Sequence, residues 1–160
     1  MKRLAIALCL LPLVIGLVGC DHATKRYAEH SLSDGRSKPL VADVLELRLA
    51  KNRGFAFSAE RWFPNAPQGS TVAAIRLAVL ALFLGVWWFH RRERWPVHLA
   101  FALTVSGALG NLIDGLRRGY VVDFVHLGGW PIFNLADVYI AAGALLLLAA
   151  AYTSSRRQTA

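Results

Sequence analysis

Residues 135–152 read LADVYIAAGALLLLAAAY, an almost unbroken apolar run with one carboxylate, Asp137, near its start. Similar apolar runs lie earlier in the chain, at Leu4–Gly19, Val72–Phe89 and Val97–Ile113. Each approaches the roughly 17–25 residues that a helix needs to cross a hydrocarbon core of about 30 Å. Because backbone groups in lipid must hydrogen-bond to one another, we expect these runs to be helices. The sequence therefore predicts a mainly α fold, a four-helix transmembrane bundle.

The composition leaves little room for anything besides this bundle. Of the 160 residues, 56% are hydrophobic, and the polar remainder is too short to form a second large core. We therefore expect a single integral membrane domain over residues 1–160, with an extracytoplasmic segment at about 28–69. The predicted spans are about 4–26, 70–89, 96–116 and 136–153.

The formal net charge of +8 points to a membrane surface rather than to a nucleic acid. Short basic clusters at 2–3, 91–94 and 156–157 flank the apolar runs, where the headgroups of membrane phospholipids attract them. Lys and Arg are enriched in the cytoplasmic loops of membrane proteins. The clusters therefore predict that both termini are cytoplasmic, and nucleic-acid binding is not expected.

The first apolar run allows two interpretations. Residues 1–3, the run itself and the sequence at 17–20 together resemble a bacterial lipoprotein signal, in which Cys20 would be the lipidation site. Three further spans and a polar continuation of the helix favour a retained first span instead. In that helix Asp21 and Lys25 lie four residues apart, in the favourable acid-before-base order. They are expected to form an ion pair, either structural or exposed at the membrane edge.

The segment after the first span has the period of a β-strand. Leucines alternate with charged residues over 44–49, and turn residues at 52–54 precede a second short stretch at 55–58. Turn formers at 31–37 and Pro39 come before it. The pattern predicts a small hairpin or sheet on the membrane surface. It would serve either as a simple cap or as an open strand edge to which a peptide adds.

Two polar residues stand near the end of the third span. Asn111 lies deep in the apolar run, and an amide there is expected to hydrogen-bond across helices. Asp114 follows one turn later, with Arg117 and Arg118 within reach as partners. We therefore expect Asp114 to form structural ion pairs.

Asp123 and Asp137 lie at the edges of the last two apolar regions, where a carboxylate is costly and usually functional. Asn134 is a good N-cap for the fourth span, which puts Asp137 in its first turn, near the positive end of the helix. Asp137 is then either a simple first-turn acid or a functional one. Likewise, Asp123 is either a loop acid paired with Arg117 or His126, or a functional acid.

A mechanism follows if these two carboxyl groups meet. Two carboxylates a few ångströms apart do not both ionise readily, so they share a proton. One acts as a base on water, and the other donates a proton to the substrate. Such a pair titrates as a unit.

Five blocks of the sequence, in this order and spacing and set on four spans, carry a specific resemblance over nearly the whole chain. They are Asp21–Lys25, Asn52–Phe57, Gly107–Asp114, Gly119–Phe124 and Phe133–Asp137. Together they resemble the bacterial lipoprotein signal peptidases (signal peptidase II), which are aspartic peptidases of the inner membrane. The resemblance implies hydrolysis before a diacylglyceryl-modified cysteine in a prolipoprotein. The acid-pair mechanism requires no cofactor, and we expect the protein to be a monomer.

The resemblance also implies roles for individual residues. Asp123 and Asp137 would be the catalytic pair. Roles in support of the substrate or the pair are implied for Asn52, Gly54, Asn111, Asn134 and Asp114. Asp21 and Lys25 would be structural.

The chain departs from this family at one position that matters. The family usually has an arginine directly after Asp114, where it is expected to hold the substrate backbone, but this chain has Gly115. Arg117 or Arg118 are the candidates to replace it. Phe55 is also bulky where the family often has a small residue. A second functional hypothesis is a small transporter or proton relay, although the sequence has no internal repeat of the kind found in many transporters.

Overall fold

The computed structural model describes residues 2–41, 44–54, 70–89 and 95–158. The helices are α1 (Lys2–Ser31), α2 (Ser70–Phe89), α3 (Trp95–Arg118) and α4 (Leu135–Gln158). The strands are β1 (Lys38–Val41), β2 (Leu45–Asn52) and β3 (Val121–Leu127). Each helix contains a stretch long and apolar enough to cross a membrane. The predicted mainly α fold with four spans and a small sheet is therefore confirmed.

Helix α3 is the centre of the bundle. Half of its apolar window is buried inside the protein, compared with 11% for α2 and α4, so these two helices turn most of their apolar surface outward. Glycines allow neighbours to approach α3 closely. A side chain at Gly107 would collide with the backbone carbonyl of Ala136, and one at Gly110 would collide with the Asp21 carboxylate. Small residues thus bring α1 and α4 against the same part of α3.

The three strands form one antiparallel sheet in the order β1-β2-β3. In the pairing of β2 with β3, Leu47 lies opposite Val125 and Ala50 lies opposite Asp123, so β2 has one extra residue between these pairs. This bulge shifts the register by one position, which reverses the face on which the following side chains lie. Asn52, two residues after Ala50, therefore lies on the same face as Asp123.

The polar end of α1 packs under this sheet. Ala28 and Leu32 form a buried apolar cluster with Phe124, and Leu47 and Val125 pack against it. The helix has 30 residues, about 45 Å at 1.5 Å per residue, which exceeds the thickness of a hydrocarbon core. Its last turns thus extend beyond the predicted span of 4–26 to support the sheet.

The sheet differs from the predicted hairpin in its partners. The strand over 44–49 was expected to pair with the stretch at 55–58, which lies outside the described residues. It pairs instead with β1 on one side and β3 on the other. Pro39, expected in a turn, lies in β1, where an edge position tolerates a residue without a backbone N–H. Strand pairing with β3 depends on a distant segment, which the local pattern does not reveal.

Candidate active site

The loop after β3 folds back and delivers Asn134 beside Asp123. The backbone of Phe133 forms a bridge with Val125: Phe133 N donates to Val125 O at 2.9 Å, and Val125 N donates to Phe133 O at 2.8 Å. Asn134 therefore follows directly from a position held against β3. Its Nδ2 donates to Asp123 Oδ1 at 2.6 Å. The chain thus returns to the bundle at the start of α4.

Asn134 also caps α4 and holds Asp137. Its Oδ1 accepts a hydrogen bond from Asp137 N at 3.0 Å, and its own N donates to Asp137 Oδ2 at 3.2 Å. This reciprocal arrangement is a capping box, so the predicted N-cap is confirmed. Asp137 is a first-turn acid, as one of the two interpretations expected. Its carboxyl group also shares a hydrogen-bond donor residue, Asn134, with the carboxyl group of Asp123. The two acids are therefore neighbours.

Asn111 bridges α1 and the start of α4. Its Oδ1 accepts hydrogen bonds from Lys25 Nζ at 3.0 Å and from Asn134 Nδ2 at 3.1 Å. Because two donors occupy the amide oxygen, the amide nitrogen must point the other way, and it donates to Asp137 Oδ1 at 2.9 Å. The predicted interhelical hydrogen bonding of Asn111 is confirmed.

Asn52 approaches Asp123 from the end of β2. Its Nδ2 donates to Asp123 Oδ2 at 3.0 Å, while its Oδ1 accepts from Gly54 N at 3.1 Å. The contact with Gly54 fixes the orientation of the amide, so that a donor faces the carboxylate. The loop-acid interpretation expected Asp123 to pair with Arg117 or His126, and the structure shows neither pair. His126 Nδ1 lies 2.9 Å from Glu46 Oε1 instead.

Both acids line one cavity of about 230 Å³. Asp123 is almost completely buried, and Asp137 is half-buried. Burial, followed by the negative charge of Asp137, raises the pKa of Asp123 to about 7, against the opposing effect of hydrogen bonds from Asn52 and Asn134. Within the described ranges, no group of three or more His, Cys, Asp or Glu side chains is arranged to hold a metal ion. The remaining lining residues are Ile75, Arg76, Val79, Ala108, Asn111, Val121 and Ile140.

A second group of charges lies next to the cavity. Lys25 Nζ is 2.7 Å from Asp21 Oδ2 and 3.0 Å from Asp114 Oδ2, and all three side chains are fully buried. The interpretation of Asp21 and Lys25 as an exposed ion pair is therefore wrong, and the expected structural ion pairing of Asp114 is confirmed. Arg118 Nη1 lies 3.6 Å from Asp114 Oδ1. We call these four residues, Asp21, Lys25, Asp114 and Arg118, the buried ion cluster.

This cluster ties α4 to the rest of the bundle. Asp21 Oδ1 accepts a hydrogen bond from Ala136 N at 3.0 Å, and Ala136 directly precedes Asp137. Asp114 Oδ2 lies 3.5 Å from Val122 N, next to Asp123. The cluster therefore positions the backbone on both sides of the cavity, while its own carboxylates face away from solvent.

Arg76 of α2 belongs to the cavity although it was not among the residues expected there. Its Nη2 donates to Gly54 O at 2.8 Å, and its side chain lines the cavity with the two acids. A signal was present, because a lone arginine in an apolar span is costly and usually functional. The two expected candidates lie elsewhere: Arg117 is exposed, and Arg118 also pairs with Glu29 at 3.1 Å.

Comparison with known proteins identifies relatives. The sequence matches the family described as signal peptidase (SPase) II over residues 13–153. The lipoprotein signal peptidases of Brucella ovis and Brucella canis are each 36% identical to this chain over 162 aligned positions, which cover 99% of this chain and 98% of each relative.

Solved structures share the fold. Two bacterial membrane enzyme structures, obtained by the in meso method at 2.3 and 1.9 Å resolution, align with TM-scores of 0.77 and 0.74. Sequence identity is 22% and 23%, and the alignments cover 92% and 89% of this chain and 89% and 91% of those chains. The four helices and the sheet are thus an arrangement that experimentally determined membrane enzymes also have.

Proposed function

The chain belongs to the signal peptidase II family, and we propose that it is an aspartic endopeptidase in which Asp123 and Asp137 form the catalytic pair. Family membership makes it a multi-pass membrane peptidase that removes signal peptides from prolipoproteins. The proposed cleavage site is the peptide bond before the diacylglyceryl-modified cysteine. The transporter and lipoprotein alternatives have no comparable support.

One observation carries the catalytic assignment: the two carboxyl groups line the same cavity and share Asn134 as a partner. In the part of the chain that the structure describes, neither forms an ion pair with a Lys, Arg or His within 4.0 Å. Amides of Asn52 and Asn111 supply further hydrogen bonds. A close pair of acids without direct neutralisation retains a proton near neutral pH.

The environments of the two acids suggest which one carries the proton. Asp137 lies at the N-terminus of α4, where the helix dipole favours a negative charge. Asp123 lies on β3 without such a dipole, and its pKa is about 7. In the proposed mechanism the Asp137 carboxylate takes a proton from water as the water attacks the scissile carbonyl carbon. Asp123 donates its proton to the carbonyl oxygen. As the C–N bond breaks, Asp137 gives its proton to the leaving amine, and Asp123 takes a proton from a hydroxyl group of the tetrahedral intermediate.

The substrate is proposed to enter where the sheet meets the bundle. A lipid-modified cysteine remains anchored in the bilayer, so the bond before it lies near the membrane surface. The cavity lies where β2 and β3 meet the ends of the helices, which matches this depth. The basic clusters of the sequence support an orientation with both termini in the cytoplasm of the inner membrane and the cavity on the opposite side.

Replacement of either acid tests the function. In purified protein, Asp123→Asn or Asp137→Asn should lower cleavage of a diacylglyceryl-modified precursor by about a hundredfold or more, while membrane insertion is retained. Asp34→Asn is the matched control, because Asp34 is exposed on a turn and contacts only Arg36 among the described side chains. Normal cleavage by both cavity variants would show that the pair is not catalytic.

A further inference from the structure

An arginine in the second span has no role in the proposed acid pair. Arg76 lies in α2, within the stretch at 71–89 that is apolar enough to cross a membrane. A guanidinium keeps its charge at any physiological pH, and a charge within a span is costly, so such residues usually serve a bound group or a pathway. Helix packing alone therefore does not explain a charged side chain at position 76.

The surroundings of Arg76 direct it into the cavity. The side chain is half-buried and lines the cavity together with Asp123 and Asp137. Within the described residues, it forms no ion pair within 4.0 Å of either carboxylate. The contact of Nη2 with Gly54 O uses one of the five N–H donors of a guanidinium. The remaining donors suit an acceptor that arrives with the substrate.

Gly115 provides the space that this side chain occupies. A Cβ atom at position 115 would lie 2.9 Å from Arg76 Nη1, closer than real Cβ contacts. A methyl group would only displace the flexible end of Arg76, whereas an arginine at position 115 would compete for the same place. The end of the Arg76 side chain and an arginine side chain at position 115 would therefore occupy the same space, so only one of them fits there.

We propose that Arg76 is a substrate-binding residue that donates hydrogen bonds to a backbone carbonyl of the peptide beside the scissile bond. This inference rests on the proposed peptidase function. An extended peptide in the cavity presents carbonyl oxygens, and a guanidinium offers two parallel N–H donors in a fixed plane. Arg76 thus takes over, from another helix, the role expected of an arginine at position 115.

A positional exchange tests the proposal in steady-state cleavage of a diacylglyceryl-modified precursor. Arg76→Ala should raise KM by about tenfold or more, as expected for the loss of hydrogen bonds to a charged donor, with a smaller change in kcat. Arg76→Lys should recover part of the affinity, because lysine keeps the charge but not the planar fork. Arg76→Ala combined with Gly115→Arg should recover most of it. Arg48→Ala, on the exposed side of β2, is the control and should cleave normally.

The outcomes separate this inference from the function on which it rests. If the unaltered protein cleaves the precursor and Arg76→Ala leaves KM unchanged, Arg76 does not bind substrate, although the peptidase assignment stands. A fall in kcat alone would assign Arg76 to support of Gly54 and would likewise overturn the proposal. The same holds if Arg117→Ala raises KM and Arg76→Ala does not. Failure of the unaltered protein to cleave would overturn both the function and the inference.

Loss of the fold is distinguished by a separate measurement. Thermal unfolding in detergent should show Arg76→Ala folded, because its side chain is only half-buried and contacts one backbone carbonyl among the described residues. If Arg76→Ala does not fold, the exchange variant with Gly115→Arg decides the question. A folded exchange variant with normal KM supports the proposal, and one with a raised KM overturns it.

Discussion

The acids around the cavity form two groups that differ in how their charge is balanced. In the buried ion cluster, Asp21 and Asp114 face the cations Lys25 and Arg118. Asp123 and Asp137 receive hydrogen bonds only from amides among the described residues (Asn52, Asn111, Asn134). A carboxylate paired with a buried cation serves the scaffold, whereas a close pair of acids that lacks a direct cation shares a proton, which the proposed mechanism transfers to the substrate.

The two groups are nevertheless connected through one amide. Lys25 holds the oxygen of Asn111, which leaves the nitrogen of that amide to bind Asp137. Asp21 holds the backbone N of Ala136, one residue before the same acid. The cluster thus determines where the carboxyl group of Asp137 lies, without neutralising it. The difference between the groups predicts that their variants fail in different ways.

The largest effect on stability is expected from Lys25→Met. This change leaves two buried carboxylates without their shared cation, and loss of one partner of a buried ion pair typically costs about 3–5 kcal/mol. The unfolding temperature in detergent should fall sharply, and little folded protein should be recovered. Lys38→Met, at an exposed position of β1, is the control and should unfold like the unaltered protein.

A double variant sharpens this test. Asp114 keeps Arg118 as a partner, whereas Asp21 pairs with Lys25 alone among the described side chains. Lys25→Met combined with Asp21→Asn removes the stranded charge, so it should unfold at a higher temperature than Lys25→Met alone. If Lys25→Met were as stable as the control, the charges of the cluster would not hold the scaffold, and the contrast between the two groups would be lost.

A smaller effect on stability, with a distinct pH dependence, is expected from Asp123→Asn. In the folded protein the pKa of Asp123 is about 7, above the ordinary aspartate value of 3.8. Between these values the folded state binds more protons than the unfolded state, so the free energy of unfolding decreases as pH rises from about 4 to about 7. Asp123→Asn should lack this component, and its stability should decline less over the same range.

The change of the free energy of unfolding with pH, rather than its absolute value, tests whether the pKa of Asp123 is raised. An asparagine at position 123 would place its own N–H group against the amide N–H group of either Asn52 or Asn134. Because none of these amides titrates, this contact changes the free energy of unfolding by a similar amount at every pH. Thermal unfolding of the unaltered protein, Asp123→Asn and Asp34→Asn should be followed from pH 4 to pH 8. Equal slopes in all three proteins would mean that the pKa of Asp123 is not raised.

The sequence predicts the helices well because span length and apolarity are local properties. The helices over 70–89, 95–118 and 135–158 agree with the predicted spans to within a few residues, except for the C-terminal end of α4. The partners of β2 could not be predicted in the same way. They depend on β3, which lies beyond two helices, and on a bulge whose position no local pattern marks.

The site was predicted only in part, because local patterns mark some of its residues and others are brought together by contacts between distant segments. Carboxylates at the edges of apolar runs indicated Asp123 and Asp137, and the capping pattern indicated Asn134. The burial of Lys25 was not predicted, because an acid and a base four residues apart look the same on an exposed helix and on a buried one. Arg76 was missed although its charge interrupts an apolar run, since its contact with Gly54 joins distant segments.

The smallest effect is expected from Asn52→Ala, which removes one hydrogen bond from the acid pair and leaves its geometry otherwise held by Asn134. The bond from Asn52 lowers the pKa of Asp123, so its loss should raise that pKa. Because the proposed mechanism uses Asp123 in its protonated form, the alkaline limb of kcat/KM should move to higher pH. The maximal rate should fall by about tenfold, as for a hydrogen bond to a charged group. Arg48→Ala on the same strand should leave the profile unchanged. A shift of the acid limb to higher pH, with the alkaline limb unmoved, would mean that Asp123 acts as the base.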